Sequence, residues 1–287
     1  MTLVPHARTG MNSLSAWRGM ASRHLRLLLL CVLCSPGLLQ AAECPRIISQ
    51  SPYISRVIDW LGLARCIVGV SRYDAMPLPH TGGVIDPDAP AIADLEPDLL
   101  IFSEWTGEDM ARKATPPGAA SIRVGGFRGI AGMEEMMRDV GRAVGVSDID
   151  RRLAAFDTDW RAAAKMDSRG RRVLILSACG PAPYSYGKGT TLHELISAAG
   201  FQVVADHDSI RNFKPGAPNG DVAAWITARE PELILALQDR RATSCNPAVA
   251  KPGIPILPLA AEHFTHPGPD FLAGLRELRE KIATYGE

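Results

Sequence analysis

Residues 147–168 read SDIDRRLAAFDTDWRAAAKMDS, without a glycine or proline among them. Leu153, Phe156, Trp160 and Ala164 recur at helical spacing, so one face of the segment is apolar. Ser147 with Asp150 three residues on has the form of a capping box. One uninterrupted helix of about 30 Å is expected here. The chain around it divides into two similar halves, which gives the order lobe, rod, lobe. A rod at the boundary, in place of a flexible linker, implies lobes that move little against each other.

On each side, short apolar runs alternate with helical stretches. The expected strands of the first half are Arg46–Ser49, Ile67–Val70, Asp98–Phe102 and Ser121–Val124; those of the second are Arg172–Ser177, Phe201–Val204, Glu232–Leu237 and Ile254–Leu257. Most are continuously apolar, as parallel strands covered on both faces must be. Pro255 suits the last to a sheet edge. Helices are expected at 52–63, 107–113, 132–144, 190–199, 222–230 and 270–285, the first with Ser51 as N-cap and Pro52 at its first position. The fold class is α/β: two lobes, each a parallel sheet flanked by helices, joined by one long rigid helix. The expected ranges are 1–42 for a signal peptide, 43–146 for the first lobe, 147–168 for the connecting helix and 169–287 for the second lobe.

Charge supports the first of these ranges. Residues 1–42 carry four arginines and no acid, and the remainder holds 27 basic against 31 acidic residues. Arg23-His24-Leu25-Arg26, the apolar run Leu27–Cys34 and the small pair Ala41-Ala42 have the layout of a Sec signal, with Met20 as an alternative start. The run is well short of the ~20 residues that span a bilayer. A periplasmic, soluble, monomeric protein is expected. No basic face calls for nucleic acid. Cys31 and Cys34 lie inside the signal, leaving Cys44, Cys66, Cys179 and Cys245. An even number in an exported chain favours disulfides, and four cysteines allow three pairings. Cys44 and Cys66 each precede a strand, and consecutive strands joined by a right-handed crossover usually lie side by side. Cys44–Cys66 and Cys179–Cys245 are therefore favoured; a zinc site is the rival, but the spacings match no C-x2-C framework.

Several catalytic signatures fail. Gly187-Lys188-Gly189-Thr190 lacks the first glycine of a phosphate loop and has glycine where Ser or Thr should follow the lysine. His263-Phe264-Thr265-His266 lacks the glutamate of a zinc-protease helix, and no G-x-S-x-G elbow occurs. A receptor for a free metal ion through His80, His207, His263 and Asp208 is the second reading, and an extracytoplasmic α/β enzyme the third.

In order along residues 46–285, six motifs resemble one group, the class III (helical-backbone) periplasmic binding proteins of ABC importers for cobalamin, iron–siderophores and heme. They are RIISQSP at 46–52, CIVGVS at 66–71 followed by Tyr73, IADLEPDLLIF at 92–102 after Gly82-Gly83, YGKGT at 186–190 leading to Leu192–Leu195 and Ala199-Gly200, REPELI at 229–234, and HPGP at 266–269. The resemblance implies a non-enzyme without a cofactor of its own. Such a protein captures a metal chelate between its lobes and delivers it to a permease and ATPase complex at the inner membrane. Loops after strand C-termini would converge on the guest. The implied ligand-binding residues are Ser51, Pro52, Tyr73, Trp105 and Arg128 in the first lobe, and Tyr184, Tyr186, Arg211, Phe213 and His263 in the second. Rigid aromatics suit a large planar chelate, and the arginines could pair with its carboxylates. The choice of chelate leans to cobalamin or a ferric siderophore; for heme, Tyr73, Tyr186 and His263 are the candidate axial ligands. Glu108 fits the docking position of the first lobe. Ala224 stands where the second lobe of the family has glutamate, with Asp221 the candidate substitute.

Overall fold

The computed structural model describes residues 44–178, 182–214, 216, 220–239 and 246–285. The expected signal peptide, Cys179 and Cys245 lie outside them. The first sheet has the order β2-β1-β3-β4, from β1 (Ile47–Ser49), β2 (Ile67–Val70), β3 (Leu99–Ser103) and β4 (Ala120–Val124), all parallel. Its helices are α1 (Pro52–Trp60), α2 (Ala89–Ala93), α3 (Glu108–Ala114) and α4 (Gly129–Ala143). After α5 (Ile149–Ala164) come β5 (Arg172–Ser177), β6 (Tyr184–Tyr186), α6 (Thr191–Ala198), β7 (Gln202–Val203), β8 (Ile210–Asn212), α7 (Val222–Thr227), β9 (Leu233–Gln238), α8 (Pro247–Ala250), β10 (Ile256–Ala260) and α9 (Phe271–Thr284).

The second sheet runs β10-β9-β5-β6-β8, with β7 beside the start of β5. Strand β10 is indeed at the edge, where Pro258 removes no internal ladder bond. The sheet is mixed, which the sequence reading did not expect: β6 runs antiparallel to β5, and β8 antiparallel to β6. These two strands have three residues each, too few for a period-2 pattern to register.

Alternation along the strands divides the interior into three clusters. Ile47, Leu99 and Ile101 of the first sheet join Val173, Ile175, Leu233 and Leu235 of the second in one central core. Ile48, Leu100 and Phe102 turn outward to a cluster under α2 and α3, and Leu174, Leu176 and Ile234 to one under α7 and α8. The core that both lobes share includes Met133, Met137 and Val140 of α4, and Leu153, Phe156 and Trp160 of α5. Close packing across the boundary makes relative lobe motion costly.

Helix α5 is shorter than the expected 22-residue span. Its 16 residues cover about 24 Å. The Ser147 capping box does not form: Asp148 is the N-cap, makes no capping bond, and instead holds Arg152 Nε at 2.9 Å and Arg151. At the other end Lys165 turns extended. The apolar stripe is buried as expected and packs on α4, α6 and α9. Among the described residues no helix is long and apolar enough to cross a membrane.

The disulfide Cys44–Cys66 is present, with Cα atoms 5.7 Å apart. It joins the chain just before β1 to the chain just before β2, and those strands pair in parallel.

Candidate functional site

In both sheets the loops at the C-terminal strand ends face one cleft between the lobes. Two adjoining cavities, of about 670 Å³ and about 440 Å³, make it up, and they share Pro52, Tyr73, Tyr184, Thr265 and His266. The first lobe contributes the turn after β1, the loop after β2 with Tyr73, Trp105 after β3, and Phe127 after β4. From the second come Ser177 at the end of β5, Leu237 and Asp239 at the end of β9, and Ala261 after β10.

The smaller cavity is lined by aromatic and uncharged residues. Tyr53, Phe127 and Trp105 form a chain of edge-to-face contacts, with centroids 5.3 Å and 5.7 Å apart. Tyr184 and Tyr186 face them from the other lobe, 5.7 Å apart. Tyr53 is fixed at the base by its hydroxyl, which donates to Val124 O at 2.7 Å. Tyr73, Trp105 and Ile210 line the cleft although 64%, 56% and 43% exposed, respectively. Large apolar side chains left in solvent at one concave place mark a binding surface.

The larger cavity has acidic walls. Asp59, Asp74, Asp239 and Glu262 line it, against the single arginine Arg56, which is ion-paired to Asp270 at 2.8 Å. His266 sits where the cavities meet; burial, with Arg56 adding to it, pushes its pKa down to about 4, so the imidazole is neutral at physiological pH. Its ring nitrogens are the kind that can ligate a metal in that state.

Of the ten ligand-binding candidates, Ser51, Pro52, Tyr73, Trp105, Tyr184 and Tyr186 line the cleft. Arg211 and Phe213 do not. In the β6–β8 ladder Tyr184 faces Asn212 and Tyr186 faces Ile210, all on the cleft side, while Arg211 pairs with Ser185 on the opposite side. Phe213 continues that opposite face and is fully buried on Trp225, with centroids 4.9 Å apart and Arg211 stacked over both rings. Arg128 is exposed at the N-cap of α4 and lines neither cavity. His263 Nδ1 is 3.2 Å from Glu277 of α9, and the cleft histidine is instead His266, three residues on.

The polar face of α1 went unrecognised in the sequence, although Pro52, Ser55, Arg56 and Asp59 fall at i, i+3, i+4 and i+7 and all line the larger cavity. Asp74, Asp239, Asn212 and Thr265 carried no sequence signal of their own. Glu108 is exposed at the first position of α3. Asp221 is also exposed but is the N-cap of α7, where its Oδ1 accepts from Ala224 N at 3.0 Å.

The histidines of the free-metal reading do not converge. His80 bridges to Val70, His207 packs on Trp225, and His263 is held by Glu277. Among the described residues no group of three or more His, Cys, Asp or Glu is placed to hold an ion.

No family model matches the chain, and no curated protein matches it in sequence. Solved structures do. The periplasmic heme-binding protein RhuT from Roseiflexus sp. RS-1, in apo form, is 20% identical with a TM-score of 0.69, over 85% of this chain and 100% of that one. The periplasmic heme-binding protein HutB of Vibrio cholerae is 18% identical with a TM-score of 0.68, over 84% and 99%. The periplasmic vitamin B12 binding protein BtuF of Vibrio cholerae is 14% identical with a TM-score of 0.62, over 84% and 98%. At such identities the likeness is one of architecture, and in architecture the chain has the two-lobed fold of the class III, helical-backbone periplasmic substrate-binding proteins that its motifs resemble.

Proposed function

We propose that the chain is the extracytoplasmic substrate-binding component of an ABC importer, a binding protein and not an enzyme. Its guest is a metal chelate of tetrapyrrole size, and ferric heme is the one the cleft suits best. The observation that carries this is the concentration of solvent-exposed aromatic surface between two lobes that share one packed core. A preformed slot with rigid aromatic walls holds a flat guest at small ordering cost. The exposed phenol of Tyr73, on the rim of both cavities, favours heme over a corrinoid. A tyrosine oxygen is a known axial ligand of ferric heme, and His266 offers a neutral nitrogen nearby. The likeness in fold to the periplasmic heme-binding proteins RhuT and HutB supports the same choice. Carboxylates of the guest stay at the open mouth, since the larger cavity is walled mainly by acids.

Delivery to a permease would use Glu108 on the first lobe. Asp221 can serve on the second only while also capping α7. Both residues are exposed at the start of a helix, Glu108 at the first position of α3 and Asp221 at the N-cap of α7, and so are open to a protein partner.

Titration with hemin, cyanocobalamin, a ferric hydroxamate siderophore and zinc tests the reading, followed by tryptophan fluorescence and visible absorbance. Saturable hemin binding with quenching of Trp105 is expected. Binding of zinc alone, or of none of the four, would remove the chelate reading.

A further inference from the structure

The first turn of α4 belongs to one lobe and the first turn of α6 to the other, and the two meet behind the aromatic wall of the cleft. At the N-cap of α4 stands Arg128, whose side chain makes no capping bond. An arginine has no acceptor to offer the free amides that begin a helix. The acceptor comes from across the lobe boundary: Glu194 Oε2 receives a hydrogen bond from Ile130 N at 2.7 Å. Thr191, one turn earlier on α6, adds three contacts. Its amide donates to Phe127 O at 3.1 Å, and its buried hydroxyl lies 2.8 Å from Gly126 O and 3.0 Å from Gly129 O.

The loop is shaped for this meeting. Gly126 and Gly129 take φ values of 111° and 77°, which other residues reach only with strain. A Cβ on Gly129 would stand 2.7 Å from the Glu194 carboxylate. Between the two glycines lies Phe127, the ring that touches both Tyr53 and Trp105. An anionic acceptor at the start of a 15-residue helix also meets the positive end of the helix dipole.

We propose that Glu194 is a positioning residue of the cleft: by capping α4 across the lobe boundary it fixes Phe127, and through it Trp105, at the spacing the guest meets. The role in binding rests on the chelate reading of the cleft; the cap itself does not.

Three variants test it: Glu194→Ala, Glu194→Gln and, as a control of comparable destabilisation remote from the loop, Ile282→Val in α9. The readouts are amide exchange at Ile130, acrylamide access to Trp105, and binding of hemin and cyanocobalamin. Glu194→Ala is expected to speed exchange at Ile130 about tenfold. It should weaken hemin binding about five- to tenfold, the loss of one charge-assisted cap, chiefly through faster dissociation. Glu194→Gln keeps a neutral acceptor and should recover part of both losses, while Ile282→Val should produce neither. Unchanged exchange at Ile130 in Glu194→Ala overturns the cap. Faster exchange, with an affinity loss no larger than that of Ile282→Val, overturns the positioning role. Should the unaltered protein bind neither probe, the chelate reading fails, and the exchange and acrylamide arms still decide whether Glu194 holds Phe127 and Trp105.

Discussion

Arg46 and Arg172 occupy equivalent places in the two lobes and make equivalent bonds. Arg46 Nε donates to Glu96 O at 3.1 Å and its Nη2 to Leu95 O at 2.8 Å, while its amide donates to Asp98 Oδ2 at 2.7 Å. Arg172 Nε donates to Glu230 O at 3.1 Å and its Nη2 to Arg229 O at 2.7 Å, while its amide donates to Glu232 Oε2 at 2.7 Å. Glu96 and Glu230, each before a proline, share φ values of 43° and 47°. Both halves thus use one device, a strand-opening arginine that caps the helix leading into the neighbouring strand. Replacing either arginine by alanine should cost about 1 kcal/mol in urea unfolding. The double variant should cost the sum to within ~0.5 kcal/mol, because the sites share no partner. A markedly larger loss would show coupling between the lobes through these caps.

The disulfide stands at the opposite end of the strands from the cleft. Cys44 and Cys66 lie before β1 and β2, whereas Ser51 and Tyr73 follow those strands. Closing a loop with 22 residues of sequence separation stabilises by about 3 kcal/mol. The double variant Cys44→Ala/Cys66→Ala should therefore unfold at lower urea concentration by about that free energy, with hemin affinity changed less than about twofold. A large loss of affinity would mean that the staple shapes the cleft as well as the lobe.

How much of this was legible in the sequence follows from where periodicity exists. Apolar runs such as Leu99–Ser103 and Leu233–Gln238 are long enough to declare buried parallel strands, and the stripe on α5 declares a core-facing helix. The strand-end rule then brought six of ten binding candidates to the cleft. It failed at Arg211 and Phe213, because β6 and β8 pair across the intervening α6 and only that pairing shows which side each residue takes. His263 and His266 could not be told apart either. Only Phe264 and Thr265 separate them, just past a 3-10 turn that ends at His263, and it is Glu277 of α9 that holds the His263 ring while His266 lines the cleft.

His266 should make stability depend on pH. Burial holds its folded pKa near 4, against about 6.5 in an unfolded chain. Below pH ~6.5 the unfolded state takes up a proton that the folded state refuses, so stability is fully present above that pH and is lost as pH falls toward 4. The difference corresponds to a loss on the order of 3 kcal/mol. Urea unfolding of the unliganded protein at pH 7, 5.5 and 4.5 should show the decline, and His266→Gln should flatten it. Equal slopes in both proteins would assign the acid lability to other groups.

Tyr73 bears most directly on the identity of the guest. Its side chain is mostly in solvent, with Arg72 stacked 5.8 Å over the ring. Removing the hydroxyl in Tyr73→Phe should leave stability within ~0.5 kcal/mol. Any change in binding then reports on the guest alone. If the phenol ligates ferric heme, the variant should lose at least about tenfold in hemin affinity and shift the heme absorption bands, since the axial donor has changed. Cyanocobalamin, held by wall contact, should bind both proteins alike. Thr265→Ala, on the same rim, should leave the hemin spectrum as it was. Identical hemin spectra and affinities for Tyr73→Phe and the unaltered protein would exclude the phenolate and turn attention to His266, whose replacement by alanine would then have to produce the spectral change instead.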